Sequence, residues 1–308
     1  MKIIMIGEAA EHEDDLRRGL ARPHEIVALP TDAAGSAADD GRIATDDVVV
    51  SLRWSRPAGE RPSFRLLHVP GAGLDSLDLA ALRPETAVAN VYEHEIPIAE
   101  FVLARLLEWE IRAAAMQESF GPATWSDAYR HRVPHGELHG KTLAIVGYGR
   151  IGRAIAARAT AFGVRVRPID AAERLSEVVA QCDYVVLACP LTPATRGLVD
   201  AALLGRMQAH AVLVNVSRAE IVDEAALYTA LCDNVIGGAI LDVWYRYPTS
   251  AEDGRAPAAH PFWELPNAWC TPHSSAWTHQ LSRRRYAVVA DNVNRLVAGR
   301  PLRNLVRP

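Results

Sequence analysis

The chain has 308 residues, of which 49% are hydrophobic, and a formal net charge of −4 at pH 7. This length and composition are typical of a globular protein with two domains and a sizeable core. The weak negative charge creates no overall field that would attract nucleic acid, and no apolar run is long enough to span a membrane. We therefore expect neither nucleic acid nor a membrane as a partner.

The N-terminus and the cysteines favour a cytoplasmic protein. Residues 1–7 resemble a strand followed by acidic residues rather than a signal peptide. The four cysteines, at positions 182, 189, 232 and 270, show no C-x-x-C spacing. A reducing compartment suits such cysteines, and we expect no metal site.

The first 95 residues alternate short apolar runs with helical patterns. Strands are predicted over residues 3–6, 25–29, 47–52 and 65–69, and helices over 11–20 and 75–82. This alternation indicates a small parallel α/β unit. Because it lacks a phosphate-binding glycine pattern, we expect this unit to hold the substrate.

Pro97 opens a long predicted helix. Its apolar residues recur at helical spacing and indicate either core or a subunit interface; they are Ile98, Phe101, Val102, Leu106, Trp109 and Ala113. Residues 117–140, rich in Gly, Pro, His and aromatic residues, predict an extended arm after the helix.

A G-x-G-x-x-G pattern follows the apolar strand predicted over residues 142–146 and opens a helix predicted over 151–161. Glycines at these positions permit a tight turn and a close approach of a phosphate, while the first helical amides face a pyrophosphate. The sequence therefore predicts a dinucleotide site, whose residues are Gly147, Tyr148, Gly149, Arg150, Ile151 and Gly152.

Asp170 ends the next strand, 18 residues after Gly152. A carboxylate there accepts hydrogen bonds from both adenosine ribose hydroxyls and repels a 2′-phosphate. We therefore expect NAD rather than NADP as the cofactor, with Arg174 as the one residue that can weaken this preference.

Further buried strands are predicted over residues 184–188, 212–216 and 236–241, which together indicate a six-stranded doubly wound sheet. A last helix, over about 278–298, is expected to pack back on the first domain. We predict an α/β protein of two doubly wound parallel-sheet domains. One is a discontinuous substrate domain (1–96 and 277–308), and the other is a nucleotide-binding domain (97–276).

Ligands of such sheets bind at the carboxyl ends of the strands. The segments that follow these strands, residues 190–197, 215–223, 242–248 and 271–277, together with the glycine turn, resemble the D-isomer-specific 2-hydroxyacid dehydrogenase family. The resemblance extends to residues 71–75, Asn90, 99–100 and 299–302. It implies a Rossmann domain inserted into a smaller flavodoxin-like domain, a homodimer, and interconversion of a small 2-oxo acid and its D-2-hydroxy acid.

By this resemblance, Arg218 orients the substrate carboxylate and polarises its carbonyl, while His273 exchanges the proton. Reduction builds negative charge on the substrate oxygen, which a guanidinium and an imidazolium can stabilise and protonate. The resemblance also implies that Asp242 lies near the nicotinamide carboxamide and that further cofactor contacts come from Pro190, Thr195, Val216, Ser217 and Ser275. Expected substrate contacts are Arg53, Trp54, Ala72, Gly73, Leu74 and Trp277, although Trp277 is equally compatible with a core or dimer contact.

The chain departs from the family at Tyr247, where relatives carry a glutamate that charges the histidine. A phenol orients an imidazole but gives it little charge stabilisation, so we expect His273 to titrate lower than in relatives. With imidazolium as the donor, kcat/KM for reduction should fall as the pH rises past a value near or below 6.5. Tyr247→Glu should move this fall to higher pH. Glu252, Asp253 and Glu264 are alternative sources of a carboxylate.

Two other functions remain open at this point. Formate dehydrogenases carry glutamine at the position of Tyr247, and the Asp-Val-Trp and Pro-His-x-Ser segments resemble that branch, whereas the loop at residues 71–73 resembles the 2-hydroxyacid type. The second alternative is an NAD-sensing scaffold or regulator whose catalytic pair has decayed.

Overall fold

A computed structural model gives the structure of the chain and describes residues 1–57, 59, 61–169, 175–248, 250 and 252–307. Contacts between Cα atoms divide the chain into two units. Unit 1 consists of Met1–Glu93 and Thr278–Pro308, and unit 2 consists of His94–Trp277. Within the described ranges, no helix is long and apolar enough to cross a bilayer.

Unit 1 is built on a six-stranded sheet. In chain order its strands are β1 (Ile3–Ile6), β2 (Ile26–Leu29), β3 (Val48–Val50), β4 (Leu66–His68), β5 (Ala87–Ala89) and β12 (Leu305–Arg307). The spatial order is 2-1-3-4-5-12, with five parallel strands and β12 antiparallel to β5. The order 2-1-3-4-5 is the flavodoxin-like one, as the sequence predicts. Unlike the equally short β3 and β4, the strands β5 and β12 were not predicted from the sequence.

Two helices cover the unit 1 core. Leu16 of α1 (Glu13–Gly19) and Val289 of α9 (His279–Val297) are buried in the same cluster as Ile3 and Met5 of β1. The expectation that the last helix packs on the first domain is confirmed. The predicted helix over 75–82 is wrong, because the structure there contains a short 3₁₀ helix, Leu79–Ala81. The Asp78 carboxylate caps it by accepting from the Ala80 amide.

A buried histidine joins the C-terminal segment to the unit 1 sheet. Nε2 of His68 in β4 lies 2.9 Å from Nδ2 of Asn292 in α9. The Asn292 amide also donates to the Arg303 carbonyl and accepts from the Arg303 amide. Burial lowers the pKa of His68 to about 4, so the ring is neutral and its Nε2 is an acceptor.

Unit 2 contains the predicted six-stranded doubly wound sheet. Its parallel strands are β6 (Thr142–Val146), β7 (Arg165–Ile169), β8 (Tyr184–Leu187), β9 (Val212–Asn215), β10 (Gly238–Leu241) and β11 (Ala268–Cys270), in the spatial order 7-6-8-9-10-11. From β6 the chain adds β7 on one side and then β8 on the other. The loops diverge at this switch point, which is where doubly wound sheets bind ligands.

The long helix α2 (Glu95–Ile111) belongs to unit 2, and the side chains of Ile98, Val102 and Leu106 are buried in its core with α5 (Arg150–Ala161). These three residues of the predicted apolar stripe therefore belong to the core. The helix ends where Arg112 adopts a left-handed φ of 58°. The remaining helices of unit 2 are α3 (Ala113–Ser119), α4 (Trp125–Arg130), α6 (Leu175–Val179), α7 (Ala201–Leu204) and α8 (Glu224–Cys232).

Residues 112–137, which we call the arm, are exposed nearly throughout. The expectation of an extended arm over residues 117–140 is wrong in part, because α4 and the last residues of α3 form within that range. The run Ala-Ala-Ala-Met-Gln-Glu in α3 has high helix propensity, which outweighs the turn-forming residues that follow it.

Candidate active site

The glycine turn after β6 is shaped for a dinucleotide. Gly147 has a φ of +93°, and a Cβ there would lie 2.6 Å from backbone atoms of Cys189 after β8. A Cβ at Gly152 would lie 2.3 Å from the Gly147 carbonyl oxygen, whereas nothing lies within 4 Å of one at Gly149. The first and third glycines thus permit the turn itself, and the second leaves open space in front of the helix.

That open space faces the N-terminus of α5. Gly149 is the N-cap residue of α5 and has no side chain that could cap the first helical amides. The first amides of a twelve-residue helix attract an anion there. These features fit the pyrophosphate of a dinucleotide held by residues 147–152. Asp170 and Arg174 lie outside the described residues.

Four predicted cofactor contacts, Pro190, Thr195, Val216 and Ser217, occupy the loops after β8 and β9. Pro190 is exposed, and its carbonyl accepts a 2.7 Å hydrogen bond from Oγ1 of Thr195, which closes the loop on itself. Val216 and Ser217 follow β9 and are buried. All of these residues stand at the carboxyl end of the unit 2 sheet, as expected.

Asn215, the last residue of β9, shapes the loop that carries Arg218. Its side-chain oxygen accepts from the amide and the hydroxyl of Ser217, both at 3.1 Å. Its side-chain nitrogen donates to the Arg218 carbonyl at 2.9 Å. Ala219 is not among the described residues with a positive φ, so its Cβ causes no backbone strain.

Asp242, which follows β10, is fully buried and holds the loop that carries His273. Its Oδ1 accepts from the Thr271 hydroxyl at 2.6 Å and from the Ser274 amide at 2.8 Å, and its Oδ2 accepts from the Ser275 amide at 3.0 Å. These hydrogen bonds hold the backbone on both sides of His273, whose φ is +56°. A non-glycine residue in that region is strained by about 1–3 kcal/mol, and the Asp242 carboxylate offsets this cost.

Tyr247 and His273 form a hydrogen-bonded pair. The Tyr247 hydroxyl lies 2.8 Å from Nδ1 of His273, and it accepts a 3.1 Å hydrogen bond from the Trp244 amide. The indole of Trp244 donates to the Thr271 carbonyl at 2.8 Å, so the same residue steadies both loops. Among the described residues, Nε2 of His273 has no hydrogen-bond partner.

Burial, together with three charged groups, sets the pKa values of Tyr247 and His273. The pKa of His273 lies below its ordinary value because the surrounding protein desolvates the ring; Asp242 opposes this shift and Arg218 adds to it. Desolvation also raises the pKa of Tyr247, aided by Asp242 and Glu220 and opposed by the Trp244 amide and Arg218. At neutral pH the imidazole is therefore mainly neutral and the phenol is protonated.

The alternative carboxylates do not replace the missing glutamate. Over the described ranges, the His273 side chain has Tyr247 as its hydrogen-bond partner, and Asp242 is the carboxylate that acts on its pKa. Asp253 instead pairs with the Arg255 guanidinium at 2.8 Å. Among the hydrogen bonds of the described residues, none joins Glu252 or Glu264 to the imidazole.

In unit 1, the loop at residues 71–74 presents backbone amides. The Asn90 side chain donates to the Ala72 carbonyl at 3.1 Å, and the Val91 amide donates to the Gly71 carbonyl at 3.1 Å. Within the part of the chain that the structure describes, the amides of Ala72, Gly73 and Leu74 donate to no protein acceptor. Such a row of free amides can bind a carboxylate.

The predicted aromatic pocket walls differ in their environment. Trp54 is fully buried, packs edge-on against Phe64 and lies beneath the Arg56 guanidinium at 4.0 Å. It is therefore a core residue of unit 1. Arg53 and Trp277 are exposed, and 66% of Trp277 is accessible, so Trp277 is not a core side chain of unit 2.

Sequence reasoning missed three positioning residues, Asn215, Trp244 and Thr271. Asn215 is the last residue of β9, Thr271 directly follows β11, and Trp244 lies three residues after β10. Their position at the carboxyl ends of strands is the signal that could have identified them. Among the described residues, no group of three or more His, Cys, Asp and Glu side chains is arranged to hold a metal ion.

Comparison with known proteins identifies the family. Residues 103–275 match the model of the D-isomer specific 2-hydroxyacid dehydrogenase NAD binding domain. The chain is 33% identical to a glycerate dehydrogenase of Methylorubrum extorquens, over 78% of each chain. It is 31% identical to a glyoxylate reductase of Korarchaeum cryptofilum, over 86% of this chain and 84% of that protein.

Among solved structures, an NAD-dependent formate dehydrogenase from Staphylococcus aureus in complex with NAD is 27% identical, with a TM-score of 0.68 over 99% of each chain. The family match covers more than half of the chain and includes the glycine turn and the loops of Arg218, Asp242 and His273. Unit 2 thus contains an NAD-binding domain, and the chain belongs to the D-isomer specific 2-hydroxyacid dehydrogenases.

Proposed function

We propose that this enzyme uses NADH to reduce a small 2-oxo acid to the D-2-hydroxy acid, with Arg218 orienting the substrate and His273 delivering the proton. The observation that carries the proposal is the 2.8 Å hydrogen bond between Tyr247 and His273, together with Arg218, whose positive charge lowers the pKa of both side chains. NADH, when bound, supplies the hydride that reduces carbon 2 of the substrate.

Each group has a task that suits its chemistry. The planar guanidinium of Arg218 binds a carboxylate through two hydrogen bonds and draws negative charge toward the carbonyl oxygen. Nε2 of His273 has no hydrogen-bond partner among the described residues, and it is the atom that passes a proton to that oxygen.

We propose glyoxylate and hydroxypyruvate as the first substrates to examine, because the two relatives named above are a glyoxylate reductase and a glycerate dehydrogenase. We also propose a cytoplasmic homodimer. Support for a dimer comes from the arm, where Phe120, Trp125 and Tyr129 are more than half exposed and contact one another. Exposed apolar surface of this kind is typical of a protein interface.

The experiment is NADH oxidation with glyoxylate, hydroxypyruvate, pyruvate, phenylpyruvate and bulkier 2-oxo acids. Turnover with a small 2-oxo acid supports the proposal, and chiral analysis of the product checks the D configuration. Binding of NADH without turnover of any substrate would instead favour an NAD-sensing regulator.

Formate oxidation is the second candidate, favoured by the solved formate dehydrogenase and by the Asp-Val-Trp and Pro-His-x-Ser segments. Its assay is reduction of NAD⁺ by formate. Activity with formate and none with 2-oxo acids would overturn the proposed function.

A further inference from the structure

We propose that Tyr247 is a positioning residue that sets the tautomer of His273 and reprotonates the imidazole at Nδ1 during the reaction. Its hydroxyl donates to Nδ1, so that the neutral imidazole carries its own proton on Nε2. When Nε2 protonates the substrate oxygen, the phenol proton moves to Nδ1. This inference rests on the proposed function.

The hydrogen-bond pattern assigns the donor. The Trp244 amide, 3.1 Å from the Tyr247 oxygen, can only donate, so one lone pair of that oxygen is occupied. The phenol has a single proton, and Nδ1 of His273 lies 2.8 Å from its oxygen. A phenol is a far stronger acid than a neutral imidazole N–H, and the raised pKa of Tyr247 keeps the hydroxyl intact. The bond therefore runs from Tyr247 to Nδ1.

This direction reverses the tautomer that a glutamate imposes. A carboxylate only accepts, so it holds the imidazole proton on Nδ1 and leaves Nε2 bare. With Tyr247 as the donor, Nδ1 is bare and Nε2 carries the proton. The resting site is then ready to give a proton to a 2-oxo acid without an imidazolium.

The step balances as follows. Hydride arrival at carbon 2 leaves an electron pair on the substrate oxygen. The His273 Nε2–H bond breaks as the substrate O–H bond forms, and the Tyr247 O–H bond breaks as the Nδ1–H bond forms. The products are the 2-hydroxy acid, a neutral imidazole and a phenolate, which Arg218 stabilises against the opposing charges of Asp242 and Glu220.

A proton from solvent then returns to the phenolate, and the imidazole proton moves back to Nε2. Tyr247 is accessible for this step, because 44% of it is exposed to water.

The relay predicts a different pH profile from the one expected for an imidazolium donor. An imidazolium donor would disappear above the lowered pKa of His273. The relay persists until the phenol ionises, which its raised pKa places above the ordinary tyrosine value of about 10.

The first test does not require turnover. In ¹⁵N-histidine-labelled protein without cofactor, at pH 8, we expect the His273 signal of an Nε2–H tautomer, assigned by its loss in His273→Gln. Tyr247→Glu should convert the signal to Nδ1–H. As a matched control, Tyr245→Phe removes a hydroxyl that donates to the Val222 carbonyl at 2.9 Å and should leave the signal unchanged. An Nδ1–H signal in the native protein would overturn the proposal.

The second test is the pH profile of kcat/KM for reduction. We expect native activity to persist from pH 6 to pH 9. Tyr247→Phe should lose on the order of 10²-fold at pH 8, with much less loss near pH 5.5, where imidazolium can donate. The relay would be refuted if native kcat/KM fell as the pH rose past a midpoint below 6.5 and if Tyr247→Phe showed the same profile. Absence of 2-oxo acid reduction at every pH would instead refute the proposed function, and the NMR result would still stand.

Discussion

The Asp242 carboxylate lies 3.0 Å from the amide of Ser275, although 33 residues separate the two in the chain. Through this bond and its neighbours, the end of β10 determines the backbone of the loop that follows β11. The left-handed conformation of His273 depends on this connection, because the amides that follow it have their acceptor in Asp242.

Asp242→Asn should lower kcat by about 10²-fold, which is the effect of roughly 1 Å of misplacement at a reacting group. An amide nitrogen in place of one oxygen faces a backbone N–H and cannot accept from it. The pKa of His273 should also decline further, because Asp242 raises it. Steady-state kinetics and the ¹⁵N-histidine titration measure the two effects. Asp233→Asn, at an exposed position after α8, is the control, and equal kinetics in the two variants would contradict the prediction.

Arg218→Ala should lose about 10²–10³-fold in kcat/KM for the 2-oxo acid, as removal of a charge-stabilising group does. NADH affinity, measured by fluorescence, should change little, because the guanidinium acts on the substrate. The pKa of His273 should rise, since Arg218 lowers it. Arg218→Lys should recover little activity, because an ammonium lacks the planar pair of donors. The exposed Arg196→Ala is the control, and retained activity in Arg218→Ala would remove its assigned role.

The cofactor preference is predicted from Asp170. Native enzyme should favour NADH over NADPH in kcat/KM, and Asp170→Ala should narrow the ratio, because the repulsion of a 2′-phosphate is removed. Equal use of both cofactors by the native enzyme would show that Asp170 does not select between them.

Light scattering should show a homodimer at micromolar concentration. Phe120→Glu combined with Trp125→Glu should shift the protein to monomer, because two charges replace exposed apolar side chains of the arm. Trp263→Glu changes an exposed tryptophan outside the arm and should leave the dimer intact. A native monomer would contradict the assignment of the arm.

Asn292→Ala should destabilise the protein by about 1–3 kcal/mol for each buried group left without a partner, with His68 and Arg303 the affected residues. The pH dependence has a defined sign. The folded pKa of His68, about 4, is below its unfolded value of about 6.5. The unfolded chain therefore binds the proton first, and stability declines as the pH decreases from 6.5 toward 4. Thermal melts across this range should show the decline, and His68→Gln should reduce it.

The parts of the fold with long apolar runs and a glycine signature could be predicted from the sequence. The runs at β6, β8 and β9 and the turn at Gly147 are local patterns, so each can be recognised without knowledge of its neighbours. The strands β5, β11 and β12 do not lie in long apolar runs, and each forms by pairing with a distant segment. The helices of the arm were missed because the composition of residues 117–140 indicated a loop.

The site shows the same division. Arg218 and His273 could be identified because each occupies a characteristic segment after a strand. The direction of the Tyr247 hydrogen bond could not, because it depends on the Trp244 amide three residues earlier, whose orientation is a property of the folded loop. Trp54 was assigned to a pocket on residue type alone, and only packing against Phe64 and Arg56 identifies it as core.

The composition of unit 1 from both ends of the chain has a consequence for biosynthesis. Residues 1–93 leave the ribosome about 180 residues before α9 and β12, which complete their core and sheet. At roughly 5–20 residues per second, this interval lasts about 10–40 s. During that time the face of β1 that α9 later covers is exposed, so the unit made first finishes folding last and is the part of the nascent protein most in need of a chaperone.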